Sequence, residues 1–339
     1  MELPPVFERY RDAIEAELEA VLAGREGPLY GMVRYQLGWA DESGQPVSTG
    51  GGKRVRPVLC LLACEALGGD HRPGLPAAAA VELVHNFSLI HDDIQDGSPQ
   101  RHQRPTLWWV WGPGQAINAG DGMHALGRLA LFRLEEQEVP PQKVTQALQV
   151  LDEACLRLCE GQHLDLAFQE RVDVSLNAYF DMASRKTAAL MACALELGAL
   201  VASEEPEVIE AFRRCGHSLG MAFQIRDDIL DLWSNHGDST ISGDLLNKSK
   251  GLPVVYALQQ GEVRQKRELG TLYLKRVLEP ADMGRITAIL DELGAREYAQ
   301  DMAWQHYQQA VEALKDVPLL PTWREQIDGV MQFLVTRES

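Results

Sequence analysis

Residues 77–96 read AAAAVELVHNFSLIHDDIQD, an apolar run that ends in three carboxylates. The spacing of the apolar positions predicts a helix from Ala77 to Ile94. Asp92 and Asp96 are four residues apart, so their side chains project from one helix face, one turn from each other. The same form, DDIxD, returns within a second helical pattern near residue 230. We call Asp92, Asp93 and Asp96 the first aspartate cluster and Asp227, Asp228 and Asp231 the second aspartate cluster.

Both clusters carry repeated negative charge in an apolar setting. Like charges at this spacing destabilise an isolated helix by a few tenths of a kcal/mol per pair, yet apolar residues such as Ile90 and Ile225 flank them. One copy alone is more typical of a solvated acidic helix face, whereas two near-identical copies favour a metal site. Mg²⁺ is usually held by one or two carboxylates together with substrate phosphates. The sequence therefore predicts Mg²⁺ as the cofactor, bridging two facing clusters and a diphosphate.

The rest of the chain repeats the helical period. Phe7, Tyr10 and Ile14 recur at three- and four-residue spacing and predict an amphipathic first helix. Further helices are predicted over Val58 to Leu67, Gln115 to Leu134, Lys143 to Phe168, Asn177 to Leu200, Glu205 to Leu232 and Ile286 to Leu314. Strand patterns are nearly absent, and the breaks rich in Gly, Pro, Ser and Asp, such as Gly97–Pro105, are predicted as helix–helix loops that are too short for domain linkers. We therefore predict an all-α, single-domain helical bundle over residues 1–339.

The composition excludes several classes of function. Forty-nine acidic against 32 basic residues give a formal charge of −17, which repels nucleic acid and anionic lipid surfaces. The six cysteines lie in apolar helical stretches without a CxxC pair, so buried, reduced thiols are expected. The acidic N-terminus does not resemble a secretory signal, and no run of ~18 apolar residues predicts a membrane span. We expect a soluble, cytoplasmic protein without integral membrane contact.

Two compact basic segments stand out in this acidic chain. GGKRVRP, at residues 51–57, places three cations after a glycine-rich turn, and RHQRPT, at residues 101–106, follows the first aspartate cluster. Arginine offers a bidentate fork to phosphate, and backbone amides near glycine approach anions closely. These segments are candidate phosphate sites. Polar residues also interrupt apolar helices, which is more often a satisfied buried group than a functional one; they are His85, Gln162, Asp165, Lys186, Thr187 and Gln224.

Several motifs occur in a fixed order between about residues 50 and 260. They are GGKRVRP, HDDIQD followed by RHQRPT, AINAGD, GQHLDL, KTAAL, FQIRDDILD and LPVVYAL. In this order the chain resembles the trans-isoprenyl diphosphate synthases, with a pattern similar to geranylgeranyl and farnesyl diphosphate synthases. Several independent motifs in one order are far more specific than a single DDxxD. The resemblance implies an isoprenoid-synthase-type bundle around a central cavity, prenyl diphosphates as small-molecule partners, and a homodimer.

The resemblance also implies a role for each candidate residue. Asp92, Asp96, Asp227 and Asp231, supported by Asp93 and Asp228, would hold Mg²⁺ ions that bridge the allylic diphosphate. Arg101, Lys186 and Gln224 match positions that contact this diphosphate, with Thr187 close by. Lys53, Arg56 and His85 match the site of isopentenyl diphosphate, to which His102 belongs by position. Phe87 and Ser88, before the first cluster, match positions that limit product length. One large and one small residue imply a C20 product, with C15 next.

The chain departs from the family pattern at three positions. Arg101 is followed by His102 where a second arginine is usual, and Thr240 and Ser249 stand where lysines are expected, although Lys248 and Lys250 flank Ser249. Three hypotheses stay open. The leading one is a synthase that condenses an allylic prenyl diphosphate with isopentenyl diphosphate. The others are a class I terpene synthase or cyclase, and a non-catalytic subunit of a heteromeric prenyl synthase.

Overall fold

A computed structural model describes residues 3–47, 52–101, 103–169, 171–233, 250–273, 275 and 279–337. The first half holds α1 (Pro5–Val21), α2 (Pro28–Gln36), α3 (Val55–Gly68), α4 (Leu75–Gln95), β1 (Gln100–Arg101), β2 (Arg104–Pro105), α5 (Leu107–Trp111), α6 (Pro113–Phe132) and α7 (Pro141–Gln169). The second half holds α8 (Leu176–Ala183), α9 (Ala189–Ala202), α10 (Pro206–Trp233), α11 (Leu252–Gln260), α12 (Val263–Tyr273), α13 (Pro280–Glu292), α14 (Ala295–Ala313) and α15 (Pro321–Thr336). The predicted all-α class is confirmed, since the described chain is 80% helical.

Long apolar helices form the centre of the molecule. α4 packs along α6 and also contacts α3, while α9 lies against α3, α7 and α10. α9 is apolar almost all round and lines the main core with residues such as Leu190 and Leu197, as expected of a helix surrounded by protein. A smaller core between α11, α12 and α13 contains Val254, Leu269 and Ile289. The two aspartate clusters lie at the ends of α4 and α10. Both helices are held in place by packing in the main core.

Glycine permits very close helix contacts at two positions along α10. A Cβ at Gly216 would stand 2.7 Å from the Ala192 Cα, and one at Gly220 would stand 2.5 Å from the Ala188 Cα. Backbones in such contact leave no room for a methyl group. α10 therefore lies directly against the segment that carries Lys186 and Thr187, and this contact brings the second aspartate cluster towards that segment.

Three predictions of local structure are wrong in detail. Asn177 to Leu200 is not one regular helix, because a π-helical turn, Ser184–Ala188, separates α8 from α9. Ile286 to Leu314 is interrupted after α13, where Gly294 adopts a φ of 66° that ends one helix before α14 begins. The predicted loop Gly97–Pro105 contains the short antiparallel pair β1–β2.

The described residues test two expectations, one about the cysteines and one about membrane-spanning helices. Five cysteines are buried free thiols as predicted, but Cys159 is exposed, because it lies on the outer side of α7. None of the described helices has both the length and the apolar character needed to cross a bilayer.

Candidate active site

The first aspartate cluster lies at the C-terminal end of α4. Asp92 and Asp93 belong to the last turn, and Asp96 is the capping residue that follows it, with its N–H donated to the Asp92 carbonyl. Asp93 is buried, while Asp92 and Asp96 are half-buried. Asp92 and Asp96, predicted to share one helix face, can therefore belong to a site that reaches solvent. Asp93 points to the protein interior.

A short hairpin positions Arg101 over this cluster. The Ser98 N–H donates to the Asp93 carbonyl, and the Thr106 hydroxyl donates to the Ser98 carbonyl, so both ends of the hairpin are anchored. Arg101 Nε donates to Asp93 Oδ1 at 2.8 Å, and its Nη2 donates to Asp92 Oδ2 at 3.2 Å. Charge-assisted contacts of this kind hold a guanidinium firmly. Arg101 thus stands beside the carboxylates of the first cluster.

Arg104, in the same basic segment, has a structural role. Its Nη2 donates to the Ala40 carbonyl at 3.0 Å, and its guanidinium lies 4.3 Å from the centre of the Tyr35 ring. The Tyr35 hydroxyl in turn donates to the Pro105 carbonyl at 2.7 Å. These contacts tie the hairpin to α2, so only Arg101 of the described RHQRPT residues faces the aspartates.

The π-helical turn places Lys186 on the other side of the first cluster. Lys186 Nζ donates to Asp165 Oδ2 at 2.5 Å and lies 3.7 Å from Asp92 Oδ1. From α7, Gln162 Nε2 donates to Asp92 Oδ1 at 2.6 Å and to Gln95 Oε1 at 3.0 Å. A π-turn often marks a functional site because it re-aims the side chains that it carries. Here it directs one lysine at two carboxylates.

The second aspartate cluster is anchored through Asp228. Asp228 is buried and accepts hydrogen bonds from the Tyr179 hydroxyl at 2.5 Å, from Gln224 Nε2 at 2.9 Å and from the Leu252 N–H at 2.7 Å. The Thr187 hydroxyl donates to Gln224 Oε1. Asp228 is therefore a structural member of the cluster, while Asp227 and Asp231 remain half-buried on the open side.

The chain terminus supplies an unforeseen contact to Asp227. Arg337 pairs with the Asp227 carboxylate, its guanidinium lies 4.3 Å from the centre of the Phe223 ring, and its carbonyl accepts hydrogen bonds from Arg226. Burial first, and then repulsion from Arg226 and Arg56, lower the pKa of Arg337 to about 10. No sequence motif marked this arginine, because the end of α15 is brought to α10 only by folding.

Neighbouring residues of the chain contact both aspartate clusters. Lys186 reaches the first cluster and its neighbour Thr187 reaches Gln224 beside the second. Lys250 Nζ donates to the carbonyls of Phe168 and Gln169, at 2.7 and 2.8 Å, just where Gln169 reaches Asp96. Lys250 is close to Leu252, whose N–H is bonded to Asp228. The two clusters, far apart in sequence, are thus contacted by residues that are close neighbours in the chain.

The electrostatics of the first cluster favour a cation. Burial raises the pKa of Asp93 to about 6, against the effect of Arg101. Burial, followed by repulsion from Asp92, raises the pKa of Asp96 to about 6. Burial opposes the charge on Lys186, but the nearby Asp165, Asp92 and Asp96 outweigh it and raise the pKa of this lysine. Excess negative charge therefore remains around the first aspartate cluster.

The donor set fits Mg²⁺ better than a metal caged by protein. Among the described residues, no three carboxylate, imidazole or thiolate side chains converge to hold an ion. Mg²⁺ retains several waters and binds through one or two carboxylates plus substrate phosphates, so it does not require such a cage. Asp92 and Asp96 on one side, and Asp227 and Asp231 on the other, each offer one such pair.

A separate cationic group lies at the start of α3. Arg56 Nη1 and His85 Nε2 are 3.1 Å apart, and Lys53 is exposed at the preceding turn. Burial lowers the pKa of Arg56 to about 10, and Glu82 opposes this effect. Burial, and then repulsion from Arg337, lower the pKa of Lys53. Of the three residues predicted as one phosphate site, Arg56 and His85 therefore lie in contact, and Arg337 repels both Lys53 and Arg56.

Phe87 and Ser88 occupy different sides of α4. The Phe87 ring is buried, with its centre 5.0 Å from the His91 ring and 5.3 Å from the His124 ring of α6. Ser88 is half-buried, and its hydroxyl donates to the His85 carbonyl at 2.7 Å. Ser88 is thus one turn from Asp92 on the face of the first cluster, whereas Phe87 fills the contact between α4 and α6.

Some predictions fall outside the described residues. His102, Thr240 and Ser249 are among them, so their predicted roles remain predictions. The structure adds residues that sequence patterns did not assign, namely Tyr179, Arg337 and Lys250. Lys250 had a signal, since it neighbours a position where a family lysine is expected. Tyr179 had none, because a tyrosine in an amphipathic helix is ordinary.

Comparison with known proteins places this geometry in context. The family model "Polyprenyl synthetase" matches residues 38–291. A geranylgeranyl diphosphate synthase of Mycobacterium tuberculosis is 37% identical over 319 residues, covering 93% of this chain and 90% of that protein. A (2E,6E)-farnesyl diphosphate synthase of the same species is 35% identical over 316 residues, covering 91% and 86%. The crystal structure of a polyprenyl synthetase from Streptomyces coelicolor superposes with a TM-score of 0.90 at 34% identity, covering 98% of this chain and 99% of that chain.

Proposed function

The chain belongs to the polyprenyl synthetase family and is a trans-prenyltransferase, and we propose that it condenses an allylic prenyl diphosphate with isopentenyl diphosphate to a C20 product. One observation carries the proposal. The adjacent residues Lys186 and Thr187 contact groups of the first and the second cluster, and Arg337, which pairs with Asp227, lies near Lys53 and Arg56. This arrangement supports two adjacent anion sites, which a two-substrate condensation requires.

We propose that the aspartates of both clusters hold Mg²⁺ through Asp92, Asp96, Asp227 and Asp231. Bound Mg²⁺ would neutralise charge on the leaving diphosphate. The protein's own cations surround the same place. Arg101 and Lys186 already lie against Asp92 and donate to oxygens whose negative charge grows as the allylic C–O bond breaks. Gln224 and Thr187 are fixed beside the second cluster for the same purpose.

The second substrate is held by the cationic group. Lys53, Arg56 and His85 bind the diphosphate of isopentenyl diphosphate, whose double bond supplies the electron pair for the new C–C bond. The allylic C–O pair leaves with pyrophosphate, and the released pyrophosphate then takes one proton, so that the C–H electron pair restores a double bond. Water would capture the allylic cation, so the apolar faces of the surrounding helices are needed to exclude it.

We propose that α4 sets the length of the product. Ser88 and Phe87 lie about 6–7.5 Å from Asp92 along the helix at ~1.5 Å per residue. The small Ser88 leaves room on the face of the first cluster, and the Phe87 ring closes the gap to α6. A C20 product follows from this pairing, with C15 as the next expectation. Relatives named geranylgeranyl diphosphate synthase support the longer product.

We also propose that the protein is a homodimer through α6 and α7. These helices pack against each other and expose Ile117, Leu129, Phe132 and Leu156. Exposed apolar groups on neighbouring helices are typical of a subunit interface. Light scattering of the purified protein tests this. A monomer at micromolar concentration would contradict it.

One assay tests the function. Purified protein is incubated with Mg²⁺ and geranyl or farnesyl diphosphate, with and without isopentenyl diphosphate, and the products are separated by chromatography. Longer diphosphates that appear only with isopentenyl diphosphate are expected. Hydrocarbons or alcohols without it would identify a terpene synthase instead, and no turnover under either condition would indicate a non-catalytic subunit.

A further inference from the structure

Arg54 lies between two proposed substrate-binding residues but has no assigned role. It is the residue before α3, and its carbonyl accepts the first helical hydrogen bond from the Val58 N–H at 3.0 Å. Its φ of 49° is in the left-handed region, which residues other than glycine seldom adopt. The side chain is buried, in contrast to the exposed Lys53 beside it. Tertiary contacts must therefore hold this backbone conformation.

Contacts to three different segments hold the Arg54 guanidinium. Its Nε donates to Glu15 Oε1 on α1 at 2.9 Å, and its Nη1 donates to Glu82 Oε1 on α4 at 2.7 Å. Its Nη2 donates to the Leu37 carbonyl at 3.1 Å. A buried guanidinium needs such a set, because each unpaired N–H would carry a desolvation cost. Arg54 thus fixes the start of α3 to α1, α4 and the end of α2.

Glu82 connects this arginine with the substrate site. The same Oε1 also accepts from Asn86 Nδ2 at 2.9 Å, so this oxygen accepts two hydrogen bonds. Its negative charge stabilises the protonated Arg56 against burial. Arg56 is bonded to His85, while its Nε has no hydrogen-bond partner among the residues that the structure describes. The charge of Glu82 therefore acts on Arg56 as well as on Arg54.

On the basis of the proposed function, we propose that Arg54 is a positioning residue for the isopentenyl diphosphate site. It holds the turn in its left-handed form and keeps Glu82 occupied. Lys53 and Arg56 then remain directed at the diphosphate. Loss of Arg54 frees Glu82 to pair with Arg56, which withdraws that cation from the substrate.

The test measures isopentenyl diphosphate binding by calorimetry, together with KM values in the condensation assay. Arg54→Gln is expected to raise the dissociation constant about tenfold, as for the loss of one charge-assisted contact. The KM of the allylic diphosphate should stay within about twofold, because Arg101 and Lys186 are untouched. The decisive variant is the double substitution Arg54→Gln with Glu82→Gln. It removes the competing carboxylate and should restore binding to within about threefold of wild type.

A matched pair on α1 separates positioning from general stability. Glu15 bonds Arg54, whereas Glu17 bonds Arg133 at 2.7 Å, away from the turn. Glu15→Gln should weaken isopentenyl diphosphate binding and Glu17→Gln should not, although each loses one ion pair of α1. If Arg54→Gln fails to fold, this pair of variants still tests whether Arg54 positions the isopentenyl diphosphate site.

Three results would overturn the inference: unchanged binding in Arg54→Gln, a double variant weaker than the single one, or equal effects of Glu15→Gln and Glu17→Gln. A wild-type protein that does not bind isopentenyl diphosphate would overturn it together with the proposed function. Wild-type protein that binds this compound but forms no longer diphosphate would contradict only the proposed function.

Discussion

Gly161→Ala is expected to disable catalysis while leaving most of the stability in place. Gly161 lies on α7 immediately before Gln162 and faces the π-helical turn Ser184–Ala188. A Cβ built there would stand 2.2 Å from the Lys186 backbone nitrogen and 2.6 Å from its Cα. Carbon contacts normally lie at about 3.5–4.0 Å, so the two backbones must separate by roughly 1 Å or more. Neither neighbour is a flexible side chain that could move aside.

Two opposing effects set the change in stability. Overpacking of a tight contact costs about 1–3 kcal/mol, and replacing glycine by alanine inside a helix returns about 1 kcal/mol. The net loss of free energy of unfolding is therefore small, about 0–2 kcal/mol. Catalysis has no such compensation. A shift of this size moves Lys186 relative to Asp165 and Asp92, and a misplacement of about 1 Å can cost roughly 10²-fold in rate.

The assay is steady-state condensation with Mg²⁺, accompanied by thermal unfolding. Gly161→Ala should lower kcat about 10²-fold and leave the KM for isopentenyl diphosphate unchanged, because that site is on α3 and α4. Gly284→Ala is the matched control, since a Cβ there meets no atom within 4 Å. It should keep full activity and gain about 0.5–1 kcal/mol. Full activity in Gly161→Ala would refute the role of the close contact in placing Lys186.

Three further predictions concern the aspartates, the product and a buried acid. Asp92→Ala or Asp227→Ala should lower turnover by several orders of magnitude with a retained circular dichroism spectrum, and near-normal turnover in either would contradict the metal-binding role. Ser88→Phe should shorten the product and Phe87→Ala should lengthen it by chromatography, whereas two unchanged distributions would place the end of the pocket on another helix. Burial raises the pKa of Glu196 from 4.5 to about 7. A carboxyl with a raised folded-state pKa stabilises the fold below about pH 4.5 and loses this contribution as the pH rises to about 7. In denaturant titrations, the stability of Glu196→Gln relative to wild type should therefore increase by about 1–2 kcal/mol as the pH rises from 5 to 8. A pH-independent difference would argue against a raised pKa of Glu196.

The sequence was most informative where a motif recurs or where several motifs follow one another in a fixed order. Two DDIxD segments at helical spacing indicated two carboxylate pairs, and several motifs in fixed order indicated the family, which the comparisons confirm. The periodicity of apolar residues indicated the helices of the bundle, because burial selects one side of each helix. It did not indicate the π-turn at Ser184–Ala188 or the break at Gly294, since neither changes the apolar period enough to be visible.

Motifs named candidates for the site, but only the fold separated their roles. All three arginines Arg54, Arg56 and Arg104 lie in basic segments. Arg54 and Arg104 are bound to acidic or carbonyl groups of the protein, whereas Arg56 contacts His85. Asp92 and Asp93 are neighbours in sequence, but the helix turns one towards the opening and the other inward.

The sequence by itself determined the all-α class, the family and the residue types of the two proposed anion sites, because these depend on local spacing and on motifs. Only the tertiary structure decided which groups meet across the bundle. Arg337 reaches Asp227 from the end of the chain, and Tyr179 and the Leu252 N–H converge on Asp228. Such contacts depend on how closely helices approach, and that distance is set by small residues such as Gly161 and Gly220 packing against a specific neighbour. A spacing rule describes one helix at a time and carries no information about that neighbour.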